Sequence, residues 1–88
     1  MMVEPMTIKC TLRLLIAREN VRRAEHGQPT LSQAAVAHET GIAPSVINGL
    51  VTGRSQRVDF QTIDRLCAFF NVQPGELFVW EPDEEEKK

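Results

Sequence analysis

The sequence predicts an all-α fold of five helices in one domain. Apolar residues recur every three or four positions in several segments, which is the spacing that places them on one face of a helix. Residues suited to begin and to end helices stand at the boundaries of these segments, so the predicted helices are short and closely spaced. With 88 residues, of which 42% are hydrophobic, the chain has enough apolar surface for one modest core.

The first predicted helix begins after Thr11, a residue suited to capping, and runs to about His26. Gly27 and Pro29 then stop it. Before this helix, residues 7–10 alternate enough for a short strand or an extended arm. The inner face of the helix is predicted to carry Leu12, Leu15, Ile16 and Ala24.

The central segment, residues 32–53, is predicted to form two short helices joined by a tight turn. Ser32 is suited to capping the first helix, and Gly41 fits the left-handed position at its end. Pro44 suits the first position of the second helix, because its missing N–H and fixed φ cost nothing there. We place this second helix at residues 44–52.

The two faces of the central segment differ in chemistry. The apolar residues predicted to pack its helices together are Val36, Ala37, Ile42, Ile47 and Leu50. The polar residues predicted to remain on the outer face of the second helix are Ser45, Asn48 and Thr52.

Two further helices follow. Asp59 is suited to capping the fourth helix and Asn71 to ending it. Its core face is predicted to carry Phe60, Ile63, Leu66, Cys67 and Phe70. Pro74 begins a short fifth helix, with Glu76 in the first turn where negative charge is favourable. The residues left to close the core or to form a contact between subunits are Leu77, Phe78 and Trp80.

The net charge of the chain is −2, but acidic residues concentrate at its C-terminal end. Residues 81–88 contain five acidic and two basic side chains, which leaves residues 1–80 with a net charge of +1. We therefore expect residues 1–80 to form the domain and residues 81–88 to form a disordered acidic tail. An alternative role for the tail is to compete with phosphate for the basic face of the domain.

Residues that could carry chemistry are few. Cys10 and Cys67 lie far apart with no CxxC spacing, so we expect reduced thiols in a cytoplasmic protein rather than a disulfide or a metal site. His26 and His38 are expected at the surface. No glycine-rich phosphate loop follows a predicted strand, and no apolar run approaches the roughly 20 residues of a membrane span. The sequence therefore predicts no enzyme, no cofactor and no membrane partner.

The central segment resembles the helix-turn-helix of the phage-repressor and Cro-like family, also called XRE-type, and the likeness extends over residues 9–80. The matching features are Gln33 at the start of the first helix, the small Ala37, Gly41 at the turn, Ile47 and Leu50 facing inward, and the closing TGR at 52–54. The resemblance implies a lambda-repressor-like fold. It also implies that residues 7–10 pair with residues 78–80, as in family members with a similar ending.

The resemblance also assigns roles to individual residues. It implies that Gln33 holds a DNA phosphate, that Ser45 and Asn48 contact bases, and that Thr52 contacts the DNA backbone. Asn48 is the best candidate for direct readout, because asparagine can form two hydrogen bonds with adenine. Arg54 and Arg57 follow the recognition helix and carry forked donors suited to flanking phosphates.

The first helix is about two turns longer than is usual in the family. Its extension carries a stripe of Arg18, Arg22 and Arg23, with Glu19 and Glu25 interleaved. One interpretation is a solvent-facing helix with ion pairs three or four residues apart. The other is a contact with the DNA backbone or with a partner subunit.

Two functions therefore remain open. The first is a sequence-specific DNA-binding transcriptional regulator, a repressor, which reads the major groove of double-stranded DNA with residues 44–52. Because Ala43 and Pro44 offer only apolar contact, a monomer would discriminate poorly, and we expect a homodimer on a near-palindrome. The alternative is an antitoxin-like or other protein-binding module on the same fold.

Overall fold

The computed structural model of the chain describes residues 6–82, which form five helices and two strands. In chain order the elements are β1 Met6–Cys10, α1 Leu12–Glu25, α2 Gln33–Thr40, α3 Pro44–Thr52, α4 Phe60–Phe70, α5 Pro74–Leu77 and β2 Phe78–Pro82. The predicted five-helix fold with a terminal two-stranded pairing is confirmed.

β1 and β2 pair antiparallel and form a two-stranded ribbon. Ile8 lies opposite Trp80 in the middle of the register, and Cys10 lies opposite Phe78 at the end that packs against the core. The ribbon thus joins the two ends of the described chain. Next to it, the backbone N–H of Thr11 donates to the carbonyl of Leu77 over 2.7 Å, which ties the start of α1 to the end of α5.

The last described strand extends into the first two residues of the predicted tail. Our sequence prediction ends the domain at residue 80, whereas β2 continues to Pro82. Glu81 pairs with Thr7 in the ribbon, because backbone pairing does not depend on the side-chain charge that marks the tail. Residues 83–88, the rest of the predicted tail, lie outside the described residues.

One cluster of buried apolar side chains forms the core. It draws on all five helices and on the connections before α2 and α3, and its members are Leu12, Leu15, Leu31, Val36, Ala37, Ile42, Ile47, Leu50, Leu66 and Leu77. All five apolar residues predicted to join α2 to α3 belong to it. The core therefore lies directly beneath the central pair of helices and holds their relative orientation.

Three expectations for individual side chains are wrong. The Thr11 hydroxyl does not cap α1 but donates to the carbonyl of Glu76 over 2.7 Å, because α5 ends beside it with carbonyl groups to satisfy. Ala24 is exposed because the last turns of α1 extend beyond the core. Phe60 is 86% exposed because it stands at the first position of α4, short of the neighbouring helices that cover Leu66.

The extension of α1 carries ion pairs, as the first interpretation of its arginines predicts. Arg22 Nη2 and Arg23 Nε lie 2.7 and 2.9 Å from the same carboxylate oxygen of Glu19. Hydrogen bonds from Arg22 and Arg23 lower the pKa of Glu19 to about 2. Asn20 joins this segment to the start of α2, since its side chain accepts from the N–H of Leu31 and donates to the Leu31 carbonyl.

Both cysteines are free thiols in half-buried positions, and burial raises the pKa of Cys10 and of Cys67. No helix within residues 6–82 combines the length and the apolar character that a membrane crossing requires.

Candidate nucleic-acid interface

The turn between α2 and α3 is built from local signals that the sequence displays. The Ser32 hydroxyl accepts from the N–H of Ala35 over 3.0 Å and caps α2. Gly41 ends α2 with a φ of 75°, a conformation that a Cβ makes costly. Pro44 occupies the first turn of α3, as predicted. These three residues set where each helix starts and stops.

Longer-range contacts hold the same turn in place. The Thr40 hydroxyl donates to the carbonyl of Val36 over 2.7 Å and accepts from the N–H of Ile42 over 3.3 Å. From α4, Arg65 Nη1 donates to the carbonyl of Gly41 over 3.3 Å. Our sequence reasoning missed this role of Arg65, because its partner lies 24 residues away and only the packing of α4 brings them together.

Four of the six predicted site residues form one hydrogen-bonded chain on the outer surface. Asn48 Nδ2 donates to Gln33 Oε1 over 3.3 Å, which links the start of α2 to the middle of α3. Arg54 Nη2 donates to Asn48 Oδ1 over 3.2 Å, and Arg54 Nε donates to the Thr52 hydroxyl over 3.3 Å. All four side chains are exposed. The polar groups needed for nucleic acid are thus oriented by one another and open to solvent.

Ser45 and Arg57 lie outside this chain. Both are exposed, and neither has a side-chain hydrogen bond within residues 6–82. Arg57 and Asp59 both line a shallow depression at the start of α4. Hydrogen bonding from Thr62, with a smaller contribution from the positive charge of Arg65, lowers the pKa of Asp59.

Gly49 lets the segment after α3 return closely against the helix. Its carbonyl accepts from the N–H groups of Arg54 and Ser55 over 3.0 and 3.1 Å. A Cβ at Gly49 would overlap the Ser55 hydroxyl. This return directs Arg54 back towards Asn48. Our sequence analysis missed Gly49 and Ser55, although a glycine inside a helix lowers stability relative to alanine and therefore suggests a packing reason.

The chemistry of this surface is that of polar recognition. It offers amide, hydroxyl and guanidinium groups, which are the groups that bind phosphates and base edges. Among residues 6–82, no three or more His, Cys, Asp or Glu side chains come together in a way that could hold a metal ion.

Two short helices at a fixed tight turn, with a buried apolar side and an exposed polar side, define a helix-turn-helix. The chain belongs to the family of Cro/C1-type helix-turn-helix DNA-binding domains, whose family model matches residues 20–83. This confirms the resemblance to the phage-repressor and Cro-like family and makes the chain a DNA-binding regulator of a non-enzymatic class. No curated protein and no solved structure matches the chain significantly.

Proposed function

We propose that the chain is a sequence-specific transcriptional repressor that acts in the cytoplasm and reads the major groove of DNA with α3. The observation that carries this proposal is the hydrogen-bonded chain from Gln33 through Asn48 to Arg54. It orients a candidate base reader between two candidate phosphate ligands before DNA arrives. Preorganisation of this kind lowers the entropy lost on binding.

Asn48 keeps the groups that adenine requires. Its amide has two N–H groups and two oxygen lone pairs, of which Gln33 and Arg54 engage one each. The remaining N–H and lone pair match N7 and the N6 amino group of adenine. Ser45, in the first turn of α3, is the second predicted base contact.

The flanking residues supply the backbone contacts in this proposal. Gln33 uses its oxygen to hold Asn48, so both of its N–H groups remain for a phosphate. Arg54 has N–H groups left after those that it gives to Asn48 and Thr52, and Arg57 adds a second guanidinium. The Thr52 hydroxyl also donates to the Gly49 carbonyl over 3.4 Å, so its part in the backbone contact includes orienting Arg54.

Two base readers per chain are too few for one copy to find an operator. Each good contact contributes about 1–3 kcal/mol of discrimination, so specificity requires two copies on a near-palindrome, with recognition helices about 34 Å apart. A compact homodimer seated on its operator acts by excluding other proteins from the same DNA, which favours repression over activation.

The experiment that tests the proposal is to sequence the genomic DNA fragments retained by the purified protein at about 0.15 M salt, where non-specific binding is typically weak. We expect enrichment of one short inverted repeat, and loss of that enrichment for the Asn48→Ala variant. A folded, soluble protein that enriches no sequence would overturn the proposal.

One observation favours the second candidate, an antitoxin-like or other protein-binding module. Ile8 and Trp80 on the ribbon are 69% and 68% exposed, which is unusual for residues of this size. If no DNA sequence is enriched, capture of a specific partner that is lost in a Trp80→Ala variant would support this candidate.

A further inference from the structure

The two faces of the ribbon differ in polarity. Ile8 and Trp80 are cross-strand partners and project on the same face as Cys10 and Phe78, since side chains alternate along a strand. Cys10 and Phe78 are partly covered by the core, but Ile8 and Trp80 extend beyond it. A two-stranded ribbon is marginally stable on its own, so its apolar face needs a cover.

That apolar face borders an open groove, which we call the ribbon groove. Ile8, Phe78 and Trp80 line one side of it, and Val51 and Val58 line the other, at the end of α3 and in the segment that follows. The groove therefore separates the ribbon from the end of the recognition helix and has apolar side chains on both sides.

We propose that a second copy of this chain fills the ribbon groove. In this dimer the two ribbons pack face to face in opposite directions about a two-fold axis near the Ile8–Trp80 pair. Each Trp80 then enters the groove of the partner. This inference rests on the homodimer of the proposed function and names its surface.

The charges at the two ends of the ribbon fit a copy in the reversed direction. Lys9 and Arg13 line the groove, and neither forms an ion pair within residues 6–82, where the ion pairs are those of Glu19. At the opposite end, the chain continues from Pro82 into four consecutive acidic residues, 83–86. A reversed partner brings its Glu81 and Pro82, after which that acidic run begins in the sequence, towards the basic residues of the first copy.

The exposed apolar side chains of the groove also favour a second copy. Ile8, Val58 and Trp80 line the groove and are each more than a third exposed, so a partner seated there removes large apolar side chains from water. Trp80 alone would bury roughly 170 Å², two thirds of the area of a large aromatic side chain.

The proposed dimer leaves the base readers open. Neither Ser45 nor Asn48 lines the groove, whereas two candidate backbone contacts, Thr52 and Arg57, do. A partner bound there lies next to the end of α3 and leaves the two candidate base readers uncovered. The DNA surface and the dimer surface therefore meet at Thr52 and Arg57.

The test measures self-association of the full chain without DNA. Trp80 is the only tryptophan, so its emission reports the groove directly. We expect a dimer by sedimentation at tens of micromolar, and a red shift of tryptophan emission as dilution dissociates it. A monomer at that concentration, or emission that does not change while a dimer dissociates, would overturn the proposal.

Matched variants identify the surface. Trp80→Ala should weaken the dimer at least about 30-fold, the effect expected of a central aromatic contact. Phe60→Ala removes an even more exposed aromatic that does not line the groove, and it should leave association unchanged. Arg13→Glu should also weaken the dimer, and by a larger factor at low salt than at high salt. Circular dichroism confirms that each variant is folded, and equal effects of Trp80→Ala and Phe60→Ala would contradict the assignment.

The two proposals fail separately. If the protein enriches an inverted repeat and its Trp80→Ala variant dimerises as well as the parent, the proposed function stands and the ribbon groove is not the dimer surface. If the dimer requires Trp80 but the protein enriches no DNA sequence, the ribbon groove stands as the dimer surface and the proposed DNA-binding function is overturned.

Discussion

The helix-turn-helix and the terminal ribbon differ in burial: an isoleucine is buried in the first and exposed on the second. Ile47 in α3 is fully buried, and the polar residues above it hydrogen-bond to one another at the surface. Ile8 in β1 is 69% exposed, beside an equally exposed Trp80. The helix-turn-helix buries its apolar side chains in the core and presents a polar surface. The second presents an apolar surface that one copy of the chain leaves uncovered.

The difference indicates two kinds of partner. A surface of exposed, mutually oriented polar groups binds a charged ligand at little cost in side-chain ordering, which suits DNA. An exposed apolar face gains free energy when it leaves water, which suits another apolar surface. Substitutions in the two regions should therefore change different measurements.

The largest effect is expected from Ile47→Ala. Removing a fully buried isoleucine side chain should lower the free energy of unfolding by about 2–5 kcal/mol, measured by urea denaturation. Ile8→Ala makes the same chemical change at an exposed site and should alter the unfolding of the monomer by less than about 0.5 kcal/mol. Similar losses of unfolding free energy at both positions would contradict the difference in burial between the two regions.

Asn48→Ala is expected to act on DNA preference and not on folding. It should reduce discrimination between the operator and an operator with one substituted base pair by about 1–3 kcal/mol, measured by competition binding. Arg54→Ala should weaken binding to all sequences alike and lower the salt slope by about one. If Asn48→Ala leaves both affinity and preference unchanged, α3 does not read bases as proposed.

Gly41→Ala tests the turn that positions α3. Space is available for the methyl group, since the nearest side-chain atom is Arg65 Nη1 at 3.5 Å, so the cost comes from the left-handed backbone. We expect a loss of about 1–2 kcal/mol in the free energy of unfolding. Gly75→Ala is the matched control, because Gly75 has neither a close neighbour nor a positive φ. A thermal-denaturation series that ranks the two variants equally would refute the role of the turn.

The smallest effect is expected from Glu19→Gln, which lies in neither region. The folded-state pKa of Glu19 is about 2, below its ordinary value, so the stabilisation by Arg22 and Arg23 is present at neutral pH. It is lost as the pH falls through about 4 towards 2. The variant should melt within about 3 °C of the parent at pH 7, and the difference should vanish near pH 2. DNA affinity and self-association should both stay unchanged.

Local signals in the sequence predict most of the fold. Ser32, Gly41, Pro44 and Asp59 each act through backbone groups a few residues away, so their roles can be assigned without tertiary structure. The periodicity of apolar residues likewise predicts which sides of α2 and α3 face each other. The family match then confirms what the turn and the periodicity indicate together.

What the sequence does not predict depends on contacts between distant elements. Phe60 fits the apolar pattern of α4, but whether the pattern is covered at its first residue depends on where the other helices end. The hydrogen bonds that join Gln33, Asn48 and Arg54 depend on the distance between α2 and α3 and on the return of the chain at Gly49. The DNA contacts assigned to these residues stay predictions.

The pairing of β1 with β2 brings the two ends of the described chain next to each other, because Met6 lies opposite Pro82. Chains with neighbouring ends tolerate circular permutation, in which the old ends are linked and new ends are opened in an exposed loop. The loop between α1 and α2 is exposed at residues 26–30 and offers such a site. In the permuted chain β1 and β2 would form one hairpin. The most distant contact in the sequence would become a local one, and the lower contact order should speed folding.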